Sequence, residues 1–368
     1  MNFKLFFLSL FSFLYCFSQE EGASKKFTLD FSPFYGSILL HNPDISHLIT
    51  NHPAGFILGY NAKTFGLREW EEKYNYPDTG FSFVYQDMNN TTLGNNYGLY
   101  AHYNFYFFKR NLQFRVGQGI AYNTNPYDKN ENFRNNAYGS HVLSSTYLMF
   151  NYHKENIVQG LGFKAGISLF HYSNANFKAP NTSTNTFAFN AGFIYDMNPK
   201  EKLVYLKGEQ GEKEEFSEPI RYNLLFSSGL NESDVIDSGQ FPFYIFSAYA
   251  DKRLGRYSAL QLGTEVFFSN FLKELIRFQA IAFPELNVAQ NDDFKRVGIF
   301  LGHELFINKM SVVTQLGYYV YYPFDFEGRV YNRIGLKRYF GNQWFGAITL
   351  KSHGAKAEAV EFGIGVRL

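Results

Sequence analysis

The chain has 368 residues, a formal net charge of +1 at pH 7, 20% aromatic residues and 18% charged residues. A charge this close to zero favours neither a nucleic-acid partner nor binding to an anionic surface, because both attract strongly basic proteins. Aromatic residues are abundant in soluble all-β proteins as well as in membrane barrels, so the composition leaves both classes open.

The first predicted element is a secretory signal peptide. Residues 1–18 place one lysine before an apolar stretch of about a dozen residues, and the small residue Ser18 precedes Gln19. We predict cleavage after residue 18, so that residues 19–368 form the mature protein. Cys16, the one cysteine of the sequence, lies in the signal peptide, which leaves the mature chain without disulfide or thiol chemistry.

Most of the mature chain is divided into segments in which apolar residues alternate with polar or small ones. In residues 112–122, Leu112 and Phe114 lie on one face of a strand, while Gln113 and Arg115 lie on the other. In a transmembrane barrel the apolar row faces lipid, the polar row faces the lumen, and closure satisfies every backbone hydrogen bond. We therefore predict an all-β protein: a single transmembrane, antiparallel, up-and-down β-barrel in the bacterial outer membrane.

The alternating segments also give a strand count. Sixteen strands are predicted between 27–36 and 357–368, or fourteen or twelve if weak segments such as 53–61 and 219–229 are not strands. The connections are mostly short and long in turn, and short turns are periplasmic in such barrels, so both termini are predicted to be periplasmic. The connections 62–78 and 198–218 break this rule, and the charged segment 198–218 is predicted to form a flap or an additional hairpin.

Charged residues on the lumen rows have two interpretations. They either line a pore or pair with one another to fill a narrow lumen, and pairing is the more common arrangement. His353 and Glu358 are predicted by parity to lie on opposite faces, which disfavours a site there. The inward charges are Arg115, Lys164, Glu265, Glu304, Arg333, Lys337, Glu361 and Arg367.

Three polar residues lie where the alternation predicts contact with lipid. The lipid-facing row of the seventh strand ends with His171 and Ser173, and the eighth strand puts Asn185 on the same face. Polar side chains on such a row are costly and are therefore candidates for function. A serine hydroxyl needs a neighbouring imidazole to take its proton, and a third group holds the imidazole tautomer. We predict that Ser173 is a nucleophile, that His171 is its base, and that Asn174 donates to a developing oxyanion.

A motif at the end of the seventh strand supports this hypothesis. Its residues are His171-Tyr172-Ser173-Asn174-Ala175, followed by Lys178, Pro180 and Asn181. The motif resembles the signature of the PagL-type lipid A deacylases, outer-membrane barrels that hydrolyse an ester-linked acyl chain from lipid A. The resemblance implies the base, nucleophile and oxyanion roles given above, and it covers roughly residues 27–197. The second half is similar to the longer acyloxyacyl hydrolase homologues found in Bacteroidetes.

Two positions depart from the family pattern. Asn176 stands where the family has a glycine whose backbone N–H contributes to the oxyanion hole, and the N–H of Asn176 can serve if the backbone conformation permits. Asn185 stands where the family has a glutamate. The resemblance assigns Asn185 to the third position of the triad, where an asparagine can orient His171 but cannot stabilise its imidazolium by charge.

The predicted function is that of an outer-membrane esterase that removes an ester-linked acyl chain from lipid A of lipopolysaccharide. The substrate would reach the lipid-facing site laterally, and no cofactor or metal is implied. The alternative is a catalytically inactive barrel that acts as a channel or as a structural partner in an envelope complex. The oligomeric state stays open.

Overall fold

A computed structural model describes residues 26–200, 203–207, 216–341 and 343–368. The predicted signal peptide and the start of the mature chain lie outside these residues. The described residues form sixteen antiparallel strands. Strands β1 to β8 span Phe27–Ile38, Ala54–Ala62, Asp78–Asp87, Asn95–Phe107, Leu112–Asn123, Val142–Val158, Leu161–Ser173 and Thr184–Asp196. Strands β9 to β16 span Arg221–Asn231, Phe241–Gly255, Ser258–Ser269, Lys295–Ile307, Met310–Tyr321, Val330–Phe340, Trp344–His353 and Lys356–Arg367.

Two α-helices and two 3₁₀ helices lie in the connections, and the 3₁₀ helices span Pro43–Leu48 and Pro284–Leu286. Helix α1, Glu69–Lys73, follows β2, and helix α2, Asn270–Ala282, follows β11. Helix α2 buries Phe271, Leu272 and Ile276 against aromatic residues of neighbouring loops. Within the described ranges, no helix is both long enough and apolar enough to cross a membrane.

The sixteen strands close as two barrels of eight. Strand β8 pairs with β1, with Phe193 opposite Phe31, and β16 pairs with β9, with Phe362 opposite Ser228. The predicted antiparallel barrel architecture is confirmed, but the prediction of one single barrel is wrong. The alternation of apolar and polar residues shows which row of a strand faces lipid. Because this pattern is the same in one large barrel and in two small ones, it does not determine which strands pair to close a barrel.

The interiors of both barrels are filled with side chains. In the first, buried Arg115 bonds to Asp30 at 2.7 Å, and Lys164 bonds to the same carboxylate at 2.5 Å. In the second, Arg333 bonds to Glu265 at 2.8 Å and to Glu361 at 2.6 Å. An eight-stranded barrel is just wide enough for its interior to be filled in this way. The expectation that inward charges pair rather than line a pore is therefore confirmed.

The segment after β8 joins the two barrels. Residues 203–207 and 216–220 have no regular secondary structure, and the middle of the predicted flap or hairpin, residues 208–215, lies outside the described residues. The charged segment broke the rule of short turns because it is the connection between two closed units and not a turn within one barrel.

A β-bulge corrects the parity prediction near the C-terminus. The register between β15 and β16 shifts between Lys351 and Ser352, which leaves Glu358 without an opposite residue. The shift turns Glu358 into the lumen, where its carboxylate lies 2.8 Å from His353 Nε2 and 2.6 Å from Arg296. His353 and Glu358 are thus in contact, because a bulge inverts the alternation on which the prediction depended.

The outward rows are apolar along both barrels. On β7, for example, Leu161, Phe163 and Ile167 are exposed, whereas Gly162 and Lys164 are buried inside. Strands β7 and β9 end, and β16 begins, at the end of the barrels that carries the long connections. By the usual asymmetry of outer-membrane barrels, that end faces the outside of the cell, so β1 begins and β16 ends on the periplasmic side.

Candidate active site

His171 and Asn185 face each other across two neighbouring strands. They are directly opposite in the register of β7 and β8, and His171 Nδ1 lies 2.7 Å from Asn185 Oδ1. An amide oxygen can only accept, so in this arrangement Nδ1 carries the proton and donates it. The other ring nitrogen, Nε2, is thereby left unprotonated, as a general base requires.

Ser173 ends β7 and is held by the loop that follows it. Its Oγ donates to Asn181 Oδ1 at 3.1 Å and accepts from the backbone N–H of Ala175 at 2.9 Å. Among the contacts of the described residues, no hydrogen bond joins Ser173 to His171, although the two residues share the outward row of β7. The serine hydroxyl must therefore leave Asn181 before it can give its proton to His171.

The loop directs the amide of Asn174 towards its own backbone. Asn174 Nδ2 donates to the carbonyl of Lys178 at 2.5 Å, and its backbone N–H donates to Asn181 Oδ1 at 2.8 Å. The second hydrogen on Nδ2 is not used by these bonds, because a side-chain amide carries two donors. One donor of Asn174 thus remains for an oxyanion.

Asn176 has the left-handed backbone conformation that a glycine commonly supplies. Its φ is 58°, and that of the preceding Ala175 is 54°. Asparagine visits this region more readily than most other non-glycine residues, so Asn176 can take this geometry. Its side-chain oxygen accepts from Asn181 Nδ2 at 3.1 Å. In the described hydrogen bonds, its backbone N–H is not engaged, which keeps that donor free.

Two further residues shape the loop, and the sequence analysis did not assign them to the site. Asn181 bonds to Ser173, Asn174 and Asn176 at once, although it was noted earlier only as the end of the motif. Buried Glu232 comes from the second barrel: Oε2 accepts from Ala179 N–H at 2.8 Å, and its backbone N–H donates to Asn176 O at 2.9 Å. No sequence signal could link Glu232 to a loop on another barrel.

These features define an outer-membrane β-barrel protein with a serine and a histidine at the outer end of the outward row of β7, where the following loop leaves Ser173 only 5% exposed. In the described part of the chain, no group of three His, Cys, Asp or Glu residues is arranged to hold a metal ion. The chemistry that this arrangement can perform is attack by an activated hydroxyl on an acyl carbon.

Family comparison agrees with this class. Residues 54–193 match the family model described as lipid A 3-O-deacylase (PagL), and residues 220–368 match the model described as acyloxyacyl hydrolase, C-terminal domain. The two matches cover most of the chain, and the chain belongs to this family of outer-membrane hydrolases. The gap between the matches falls at the connection between the barrels.

The solved structures that match this chain include porins. A mutant of Rh. blastica porin is 9% identical, covers 94% of this chain and 99% of the porin, and has a TM-score of 0.18. Pseudomonas aeruginosa OccK11 (OpdR) is 10% identical, with coverage of 93% and 95% and a TM-score of 0.21. Because these TM-scores are low, neither structure supports a conclusion about this protein. No curated protein matches the sequence.

Proposed function

We propose that this protein is a lipid A deacylase in which Ser173 is the nucleophile and His171 the general base. The observation that carries the proposal is the 2.7 Å contact between His171 Nδ1 and Asn185 Oδ1 beside Ser173, on an outward face where polar groups are costly. The match of residues 54–193 to a family described as lipid A 3-O-deacylase supports the choice of substrate and of the 3-O ester.

The proposed reaction has two steps. His171 Nε2 takes the proton from Ser173 Oγ as Oγ attacks the acyl carbon, and the carbon–oxygen bond to the sugar breaks as His171 returns the proton to the leaving oxygen. Water, deprotonated by His171, then hydrolyses the acyl-serine and releases the fatty acid. The free donors on Asn174 Nδ2 and Asn176 N–H stabilise the oxyanion of each tetrahedral intermediate.

Asn185 takes the place of the acid in this mechanism. Its oxygen fixes the tautomer of His171, which is the positional part of the role of an acid. It contributes no negative charge when His171 becomes an imidazolium, so catalysis is expected to be slower than with a carboxylate at the same position.

The filled lumens count against the alternative of a channel. Ion pairs such as Arg115–Asp30 and Arg333–Glu265 occupy the cross-section of each barrel. A continuous water path would require these buried pairs to separate, which leaves uncompensated charges in the interior.

The proposal is tested by expressing wild-type protein and Ser173→Ala in a strain that lacks the native gene, and by recording mass spectra of lipid A. The wild type is expected to remove one acyl chain, and Ser173→Ala none. Ser168→Ala is the matched control, because Ser168 lies on the same strand but points into the lumen, where it bonds to Asn190. Deacylation by Ser173→Ala would contradict the mechanism.

A further inference from the structure

A cleft opens between the two barrels beside Ser173. It has a volume of about 290 Å³ and is lined by Asn174, Ala175, Phe177, Gly229, Leu230, Val360 and Phe362. The first three residues belong to the loop that holds Ser173, and the other four belong to β9 and β16 of the second barrel. The volume is just below the roughly 300–1,000 Å³ of typical ligand pockets, so the cleft has room for one narrow ligand.

The wall that the second barrel contributes is apolar. Leu230 and Phe362 are 44% and 60% exposed, and both lie on outward rows of strands that pair with each other. Elsewhere the outward rows form convex surfaces that face the bilayer. Here an outward row of one barrel faces a loop of the other, so the apolar surface becomes concave and can enclose a ligand.

The cleft lies next to the candidate nucleophile. Ala175, which lines it, donates its backbone N–H to Ser173 Oγ at 2.9 Å. A substrate whose acyl carbon lies at Ser173 therefore has an apolar cleft beside the loop of Ser173 to receive its chain. The chain of a lipid substrate already lies among apolar lipid tails, so the cleft acts by packing against the chain and orienting it rather than by removing it from water.

We propose that the second barrel completes the substrate site: the inter-barrel cleft binds the acyl chain of the ester that Ser173 cleaves. This inference rests on the proposed function for its substrate, but it adds a role for β9 and β16 that the chemistry at Ser173 does not require. Specificity for long acyl chains then resides on the second barrel, whereas bond cleavage resides on the first.

Binding is tested by photocrosslinking with the Ser173→Ala protein in lipid nanodiscs. The probe is a palmitoyl ester that carries a diazirine at the end of the chain, and labelled residues are mapped by mass spectrometry. Labelling is expected on Leu230, Val360 or Phe362, and it should be lost in Ser173→Ala/Val360→Trp. Labelling confined to strands of the first barrel would overturn the proposal. Because this protein cannot turn over the probe, the result does not depend on hydrolysis.

Hydrolysis by the active protein provides the second measurement. Val360→Trp is expected to lower kcat/KM for a palmitoyl ester about tenfold or more relative to that for an acetyl ester, because filling an apolar pocket affects the long chain most. Val320→Trp is the control, since Val320 is 53% exposed on β13 and does not line the cleft. Equal losses for both esters would overturn the cleft proposal. A wild type that binds the probe in the cleft but cleaves neither ester would instead refute the proposed function.

Discussion

The two barrels share one architecture, yet they differ in what surrounds a serine and a histidine on the outward face. In the second barrel, Ser258 Oγ lies 2.7 Å from His303 Nε2. In the first, the hydroxyl of Ser173 bonds to Asn181 instead of to His171. If distance alone defined a site, the second barrel would have the better one.

The second pair lacks supporting groups. Across the described residues, no acceptor bonds to Nδ1 of His303 and no backbone N–H bonds to Ser258. Around Ser173, by contrast, Asn185 fixes the imidazole and a loop with left-handed residues presents free donors. A catalytic site is recognised from the groups that orient the reacting atoms and receive the developing charge, and not from one short contact.

The largest expected effect separates the two histidines. His171→Ala should lower deacylase activity about a thousandfold, because a general base contributes roughly 10²- to 10⁴-fold. His303→Ala, the matched change on the second barrel, should leave the rate within about twofold. Both variants are assayed by mass spectra of lipid A after timed incubation of purified protein. Equal losses would mean that both histidines act through stability.

The orienting residue gives the next effect. Asn185→Leu should lower kcat about 10- to 100-fold with little change in KM, because loss of a hydrogen bond of roughly 1–3 kcal/mol frees the tautomer and orientation of His171. Asn185→Glu should raise kcat above the wild type, since a carboxylate adds charge stabilisation. A lower kcat for Asn185→Glu than for Asn185→Leu would show that the site is adapted to an uncharged partner.

The contact from the second barrel should have a smaller effect. Glu232→Ala removes the acceptor for Ala179 N–H and is expected to lower kcat about tenfold, because loosening the loop displaces the oxyanion donors. Glu232→Gln keeps one acceptor oxygen and should recover part of the rate. The stability control is the temperature at which each variant unfolds, measured as the change in its electrophoretic migration after heating. If kcat and thermal stability fall in parallel in the two variants, Glu232 acts through stability and does not position the oxyanion donors.

The smallest effect on deacylation is expected at Ser258 and His303, although their side chains are in direct contact. Ser258→Ala breaks the 2.7 Å contact to His303 but should leave deacylation unchanged and lower stability by about 1 kcal/mol, the usual net contribution of one hydrogen bond. A measurable loss of ester hydrolysis in this variant would reveal a second active site and reverse the comparison between the barrels.

The sequence was most informative where a property is local. Alternation on β7 placed Lys164 inside and Phe163 outside, and the motif after it brought His171, Ser173 and Asn185 into consideration. These inferences need only the period of a strand and the chemistry of neighbouring residues.

The features that the sequence did not predict depend on contacts between residues that are far apart in the chain. The pairing of Phe31 with Phe193 determines that there are two barrels, and nothing in either strand specifies its partner. The bulge at Glu358 reverses the alternation of inward and outward residues on β16. Glu232 bonds to a loop of the other barrel. Each of these depends on tertiary structure rather than on the residues beside it.

The closure of each barrel by its own last strand has a consequence for how the chain can be divided. Because β8 seals against β1 and β16 against β9, a cut in the connection after β8 leaves no strand edge unpaired in either half. The halves can then be made as separate polypeptides and mixed. Such a split protein allows the first barrel of one homologue to be combined with the second barrel of another.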